Sequence, residues 1–429
     1  MPRYLILLLA IALCATAQPD SPDAKARARA AREFAKQGSE GMPWLERLVL
    51  DPDLAVRIEA VKSLGEVGTP KSLDPLLRAC GDTDPEMQVR ATDGLVNFYL
   101  PGYLKNGFSG RLKRMGTGIQ GKFTDVNDDV VPAYVQPRRD VVLALGRLVK
   151  LGATTEVRAN AARAVGVLRG QAALPDLYEG LRSKNDQILY ESLVAIKKIG
   201  DPEAAPKAAF LVRDLDERVQ TTAAETMGVL GYKPAVKDLE EVMQRDRSVK
   251  VKRASLTGLA LLASASSRSL FTQYLTDKDE GLRAASAEGL GRLRMPSDLE
   301  RIEKGFNDER KNAARLSFAF ALVLHGRHTL GTGYSTPMHL LVNALSSASL
   351  GSAAQTFLVE LTREPAVRAE INRTLPNWAK QEKMGLAGVL GVSGDRESVT
   401  ALEALVKDQD TDVSLEATRA LRVLRTRLP

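Results

Sequence analysis

Apolar residues recur along this chain in a frame that returns at a fixed interval. Starting from Asp51-Pro52-Asp53-Leu54-Ala55-Val56-Arg57, the frame continues to Ala60, Leu64, Val67 and Gly68. It returns at Asp214, Asp216, Val219, Ala223, Met227, Leu230 and Gly231, then at Asp277, Asp279, Leu282, Ser286, Leu290 and Leu293, and again at Asp408, Asp410, Val413, Ala417, Leu421 and Leu424. Looser copies are centred on Val89, Val157, Ile188, Val251, Ala313, a position near Ala353, and Glu382. From Val157 to Ala313 the steps are 31, 31, 32, 31 and 31 residues, a regularity that marks a repeat architecture.

Apolar positions at +4, +8 and +11 from each lead residue have helical spacing, so each copy opens with an amphipathic helix. Asp residues at its start supply caps. A glycine at +12, as at Gly68, Gly200, Gly231 and Gly394, predicts an end in the left-handed conformation that disfavours other residues. Turn signals with proline follow, at Thr69-Pro70, Asp201-Pro202, Lys233-Pro234 and Met295-Pro296, and proline suits the start of a second helix. Each unit is therefore a helix hairpin whose apolar side is buried only by stacking on its neighbours.

These features resemble the HEAT-repeat family, in particular the short HEAT-like repeats of the phycobilisome-lyase type. The residues that carry the likeness are the Asp-x-Asp-x-x-Val-Arg leaders, with Arg57, Arg90, Arg158 and Arg283 in the basic position, the pairs Leu64-Gly65 and Leu290-Gly291, and the Gly-Asp-Pro turn at Gly200. The resemblance implies an all-α fold, a right-handed α-solenoid of about eleven two-helix repeats. Residues 51–429 form it, behind N-terminal capping helices in 18–50. Such solenoids serve mostly as binding scaffolds, and a shared fold does not assign a task. The recurring Asp and Arg are expected to act as caps and as ion pairs between stacked repeats, not as an active-site ladder.

Composition agrees with this fold and narrows the functional classes. Of 429 residues, 44% are apolar but only 5% aromatic, so Ala, Leu and Val fill the core. Charged residues of both signs make up 26%, which excludes a multi-span membrane protein and a disordered tail. Residues 1–17 have the form of an export signal: Arg3, an apolar run over 4–13, and Ala15-Thr16-Ala17 as a cleavage site, so the mature chain is expected to begin at Gln18 in the periplasm or outside the cell. Leu13 before Cys14 is unlike the residue a lipoprotein signal requires. The other cysteine, Cys80, lies in an apolar helical stretch and is expected to be buried. The net charge of +7 falls by one with Arg3, a mild excess for this length, and with export it leaves nucleic acid an unexpected partner.

Two departures from the period carry functional information. The step from Val89 to Val157 is 68 residues, one repeat plus an insertion at about 101–137; helical periodicity stops near Leu100 and resumes over 141–148 as a second helix. A smaller lengthening at about 326–335 falls in the same relative place. Long loops in compact folds usually have a use. The insertion carries Lys105, Arg111, Lys113, Arg114 and Lys122 with no acidic residue before Asp125. Phe108, Leu112, Met115, Ile119 and Phe123 fall at helical spacing, while six glycines from Gly102 to Gly121 oppose a stable helix by roughly 1 kcal/mol each. These residues are the candidates for contact with an acidic partner or an anionic membrane surface, with ordering on contact. The other expectation is a loop folded back over the solenoid, with Tyr99, Tyr103, Phe108 and Phe123 as packing.

Motifs of catalysis are weak. Gly116-Thr117-Gly118-Ile119-Gln120-Gly121 matches a phosphate-cradling pattern but lacks the strand and βαβ unit that give it meaning. His325, His328 and His339 are the only histidines, no Asp or Glu lies between Arg310 and Glu360 to complete a metal set, and ordinary surface histidines are expected. There is no His-Glu dipeptide of the di-iron solenoids and no G-x-S-x-G elbow. The expectation is an exported, non-enzymatic scaffold in the cell envelope that binds a protein partner, with no cofactor. The alternative is a lyase-like enzyme or carrier acting on a small ligand in the concave groove.

Overall fold

The protein is described by a computed structural model, covering residues 18–106, 129–132, 134–330 and 336–428. Its contacts divide it into two compact units, residues 1–210 and 211–429. Each is an α-solenoid: among the described residues the regular elements are helices and 3₁₀ turns.

The first unit runs α1 (Ala24–Lys36), α2 (Met42–Leu48), α3 (Leu54–Val67), α4 (Leu73–Ala79), α5 (Pro85–Tyr99), the single turn α6 (Tyr103–Asn106), α7 (Arg139–Leu151), α8 (Thr155–Val167), α9 (Leu174–Gly180), α10 (Asp186–Ile199) and α11 (Ala205–Ala208). Helices α1, α3, α5, α8 and α10 pack side by side as one layer, and α4, α7 and α9 pack behind, each against the next first-layer helix. The resumed periodicity at 141–148 is α7, which takes the place of a second helix against α8.

The second unit contains α12 (Glu217–Val229), α13 (Val236–Arg245), α14 (Val249–Leu262), α15 (Arg268–Tyr274), α16 (Glu280–Leu293), α17 (Leu299–Asp308), α18 (Asn312–Leu324), α19 (Pro337–Asn343), α20 (Gly351–Leu361), α21 (Pro365–Thr374), α22 (Lys380–Ser393), α23 (Arg396–Leu405) and α24 (Thr411–Arg427). The even-numbered helices form its first layer, the odd-numbered ones its second.

The Asp-x-Asp leader is consumed locally. The first Asp accepts from the backbone N–H two residues on, as in Asp51 with Asp53, Asp214 with Asp216, Asp277 with Asp279 and Asp408 with Asp410. The second Asp caps the helix, accepting from Val56, Val219, Leu282 or Val413. The lead residues Val56, Val157, Ile188, Val219, Val251, Leu282 and Val413 are buried, and so are Ala60, Leu64, Ala223, Met227, Leu290 and Ala417. The same cap and bracket occur one repeat earlier than the first copy read from the sequence, at Asp23 and Arg27.

The basic position joins successive repeats. Arg57 donates back to the carbonyls of Asp51 and Pro52 and forward to Asp82, and Arg283 donates back to Asp277 and Lys278 and forward to Glu309. Arg27 reaches Asp51 and Lys383 reaches Asp408 in the same way, and Arg368 repeats the bracket with Asp395. Arg158 donates to the Val149 carbonyl.

Arg90 departs from this role. Asp84 caps at Met87, which is fully buried, so the lead of this copy is Met87, 31 residues after Val56, and not Val89. Gln88 then holds the bracket position, donating to the Asp82 carbonyl and accepting from Ala153 N–H, while Arg90 pairs only along its own helix with Glu86. A polar side chain of the right length suffices for the bracket, and charge misled the assignment. A similar shift applies to α18, where Ala313 is exposed and Ala314 is buried.

Glycine serves two purposes. Gly68, Gly200 and Gly231 have φ of 57°, 74° and 66°, the left-handed ends expected. Gly394 does not: its φ is −70°, and a Cβ there would lie 2.4 Å from the Leu390 carbonyl oxygen, because the chain enters the Asp395 cap of α23 at once. Ala263 and Arg294 take the left-handed angle without glycine. The glycines of the Leu-Gly pairs sit where first-layer helices touch. A Cβ on Gly291 would come within 2.7 Å of Ala321 Cα, and one on Gly65 within 3.1 Å of Gly94 Cα.

Candidate functional site

Of the candidate contact residues, Phe108, Arg111, Leu112, Lys113, Arg114, Met115, Ile119, Lys122 and Phe123 lie outside the described residues, as does the side chain of Lys105. The export signal at 1–17 lies outside them too. What the structure does show is where the insertion leaves the first unit and where it returns.

It leaves at the C-terminal end of α5. Asn97 Oδ1 accepts from the N–H groups of Gly102 and Leu104, and Asn97 Nδ2 donates to the Gly65 carbonyl on α3. One amide side chain thus ties the departing chain to two helices. Tyr103 is buried. Its return lies against the next two helices of the layer: Val131 is buried and donates from its N–H to the Val167 carbonyl at 2.9 Å, at the end of α8, and Lys198 Nζ on α10 donates to the Asp129 carbonyl at 2.9 Å. The chain then reaches α7 through Arg138, whose N–H donates to Tyr99 Oη and whose guanidinium pairs with Asp74 and Asp140. Burial raises the Tyr99 phenol above its usual pKa, and Arg138 holds Asp140 below the usual carboxylate range.

Between these two ends lies the outward ridge of α5, α8 and α10, at +2, +6 and +10 from each lead. Val89, Asp93, Ala159, Arg163, Val167 and Val194 on it are all buried. In the second unit the matching residues Thr221, Glu225, Thr257 and Ala284 are half-exposed. The buried ridge is polar at its middle: Asn160 donates to Asp93 at 3.0 Å, and Arg163 donates through Nε to Glu191 at 3.1 Å, with Gln187 donating to the same carboxylate at 2.9 Å. Charged groups are buried at this depth only when paired and hydrogen-bonded. This network fastens α5 to α8 and α8 to α10.

Sequence reasoning missed Asp93, Asn160, Arg163 and Glu191. No local signal marked them: Asn160 and Arg163 fall with Glu156 on one helical stripe of α8, which reads in the sequence as an ordinary solvent face.

The described residues contain no group of three or more His, Cys, Asp or Glu able to hold a metal ion. Among them, no helix is long and apolar enough to cross a membrane. His325 and His339 are half-buried, unlike the surface residues expected, and burial lowers both imidazoles; His339 lies against Trp378 with ring centroids 4.9 Å apart. Cys80 is buried as expected, and burial raises its thiol to about 12. Two shallow depressions of about 420 and 410 Å³ lie between neighbouring turns, one beside Lys233, Leu262 and Ser266, the other beside Leu50, Arg57 and Asp82.

The profile of HEAT repeats matches residues 12–95, 143–228 and 236–323, more than half of the chain. The chain belongs to the HEAT-repeat family. No curated protein matches it in sequence. Solved structures similar to it include an engineered protein, 18% identical, with 95% of this chain and 97% of that chain covered and a TM-score of 0.40. A chain from the study of Kap95p binding to RanGDP is 13% identical, with 97% and 67% covered and a TM-score of 0.41. A chain from a study of the cadherin and beta-catenin interaction is 15% identical, with 96% and 100% covered and a TM-score of 0.40. The HEAT repeats of this protein therefore account for its leaders, its period and its two-layer packing.

Proposed function

We propose that this HEAT-repeat protein is an exported, non-enzymatic scaffold of the cell envelope that binds a protein partner, with the insertion as its contact element. The observation that carries the reading is the anchoring of the insertion at both ends on one layer of helices, by Asn97 at one side and by Val167 and Lys198 at the other. Anchors of this kind tether both ends of the segment that carries Arg111, Lys113, Arg114 and Lys122 in the sequence, and a tethered segment loses less entropy than a free one when an acidic surface engages it. A protein is favoured over an anionic membrane surface because ten interleaved basic and apolar candidates offer side-chain specificity as well as charge. The likeness of the leaders to repeats of the phycobilisome-lyase type is one of repeat length and capping. A lyase-like activity has no support from those Asp and Arg residues, which are engaged in caps and brackets.

The test is cross-linking in living cells followed by affinity purification of the mature protein, beginning at Gln18, beside a variant in which 107–128 is replaced by a Gly-Ser linker that spares Tyr103 and Val131. A protein partner captured by the wild type and lost with the linker, and weakened as salt rises, supports the reading. Equal capture by both, or an unprocessed N-terminus in the cytoplasm, overturns it.

A further inference from the structure

The second unit contains a contact that breaks the rule of its repeats. Ion pairs of the bracket span neighbouring repeats, with partners 25 to 27 residues apart. Arg292, in the last turn of α16, instead donates to Glu360 on α20 through Nε at 2.9 Å and Nη2 at 2.8 Å, passing α18. Arg294, just past α16, likewise reaches beyond α18, donating at 2.6 Å to Glu364 in the turn between α20 and α21. In the inner pair the Arg292 side chain is 9% exposed and that of Glu360 31%, while the outer pair is more open, at 47% and 45%.

Beneath the guanidinium of Arg292 the Phe320 ring lies 4.7 Å away, stacked in turn on Phe357 of α20 at 4.5 Å. Glu288 completes the cluster, accepting from Arg292 at 3.1 Å and from Ser317 at 3.0 Å. Burial raises the Glu288 carboxyl above its usual range, against the pull of Arg292.

The place of this cluster explains it. Helices α16 and α18 touch backbone to backbone at Gly291 and Ala321, and α22 and α24 do so at Gly391 and Ala420. Helix α20 lies between these close-packed pairs, and the α22 glycines on its side meet only side chains, Gly385 meeting Leu345 and Gly388 meeting Gln355. Before it, the α18 to α19 connection from His325 to Thr336 is longer than the other connections of the second unit, which displaces the next first-layer helix from the register of the regular repeats. We infer that Arg292 and Arg294 with Glu360 and Glu364 form an ionic latch that closes α20 over the Phe320 edge of α18, making α20 a segment that opens on its own when the latch is released. Opening bares two stacked aromatic rings, Phe320 and Phe357, that are buried in the closed arrangement.

Hydrogen exchange on the full chain tests this. In a Glu360→Gln/Glu364→Gln variant, amides of α20 should exchange about tenfold faster or more, since the charge-assisted hydrogen bonds that tie Arg292 and Arg294 across α18 are lost and such bonds are the strong ones. Amides of α12 and α14 should stay within about twofold of wild type, because distant sites are nearly independent. Equal acceleration in all helices, or none in α20, overturns the latch. The milder Arg294→Glu variant, which alters only the open pair, should speed α20 alone, and adding Glu364→Arg should restore it; failure of that restoration also overturns the inference.

Discussion

Two glycines on first-layer helices of the second unit should respond in opposite directions to the same change. Ala in place of Gly at an unhindered helix interior stabilises by about 1 kcal/mol, because the unfolded chain loses freedom and the helix gains propensity. At Gly388 the nearest group to a new Cβ is the Gln355 side-chain nitrogen at 3.4 Å, a flexible end that moves aside. Gly388→Ala should therefore gain about 1 kcal/mol. At Gly291 the new Cβ would stand 2.7 Å from both Cα and Cβ of Ala321, atoms of a neighbouring helix that cannot yield without moving its backbone. Overpacking of this kind costs about 1–3 kcal/mol, and contact with backbone places it near the upper end. Set against the propensity gain, Gly291→Ala should lose about 2 kcal/mol. Urea titrations followed by circular dichroism, with exchange protection of α16 and α18 as a local readout, measure both. A Gly291→Ala protein as stable as wild type would refute the argument that these glycines are there for close approach.

The bracket arginines should differ from their neighbours. Arg283→Ala strips Asp277 and Lys278 of a donor and leaves Glu309 unpaired, for a loss of about 1–3 kcal/mol, whereas Arg90→Ala, which breaks only the pair with Glu86, should cost about 0.5 kcal/mol or less in the same titration. The guanidiniums of Arg27 and Arg283 hold Asp51 and Glu309 below the usual carboxylate range, so the folded protein binds those protons less readily than the unfolded one. That stability is present above about pH 4 and is lost as pH falls through the lowered folded values; an acid titration of Arg283→Ala should show a shallower loss there. With its thiol raised to about 12, Cys80 should resist alkylation at pH 8 until the protein unfolds, and rapid labelling of the native state would contradict its burial. Removing one repeat, 214–245, should leave a helical protein by circular dichroism, since each repeat rests on its neighbours alone.

Much of this architecture is written in single residues whose action is local. An Asp two residues before a capping Asp satisfies backbone donors within its own turn, so Asp51 and Asp53 or Asp277 and Asp279 mark a helix start whatever surrounds them. The lead Val and the apolar positions that follow have helical spacing, and stacking of such hairpins is the only way to bury them. The sequence by itself therefore determined the all-helical repeat fold, the period and the burial of Cys80. Register within a copy was decided by tertiary contact: Gln88, not Arg90, occupies the bracket, because the position is defined by the Asp82 carbonyl and Ala153 N–H that it must reach. Tertiary structure alone placed Asn160 on Asp93 and Arg163 on Glu191, pairs 67 and 28 residues apart. It alone carried Arg292 past one helix to Glu360, since nothing in a periodic pattern encodes where its partner will lie once a connection is lengthened.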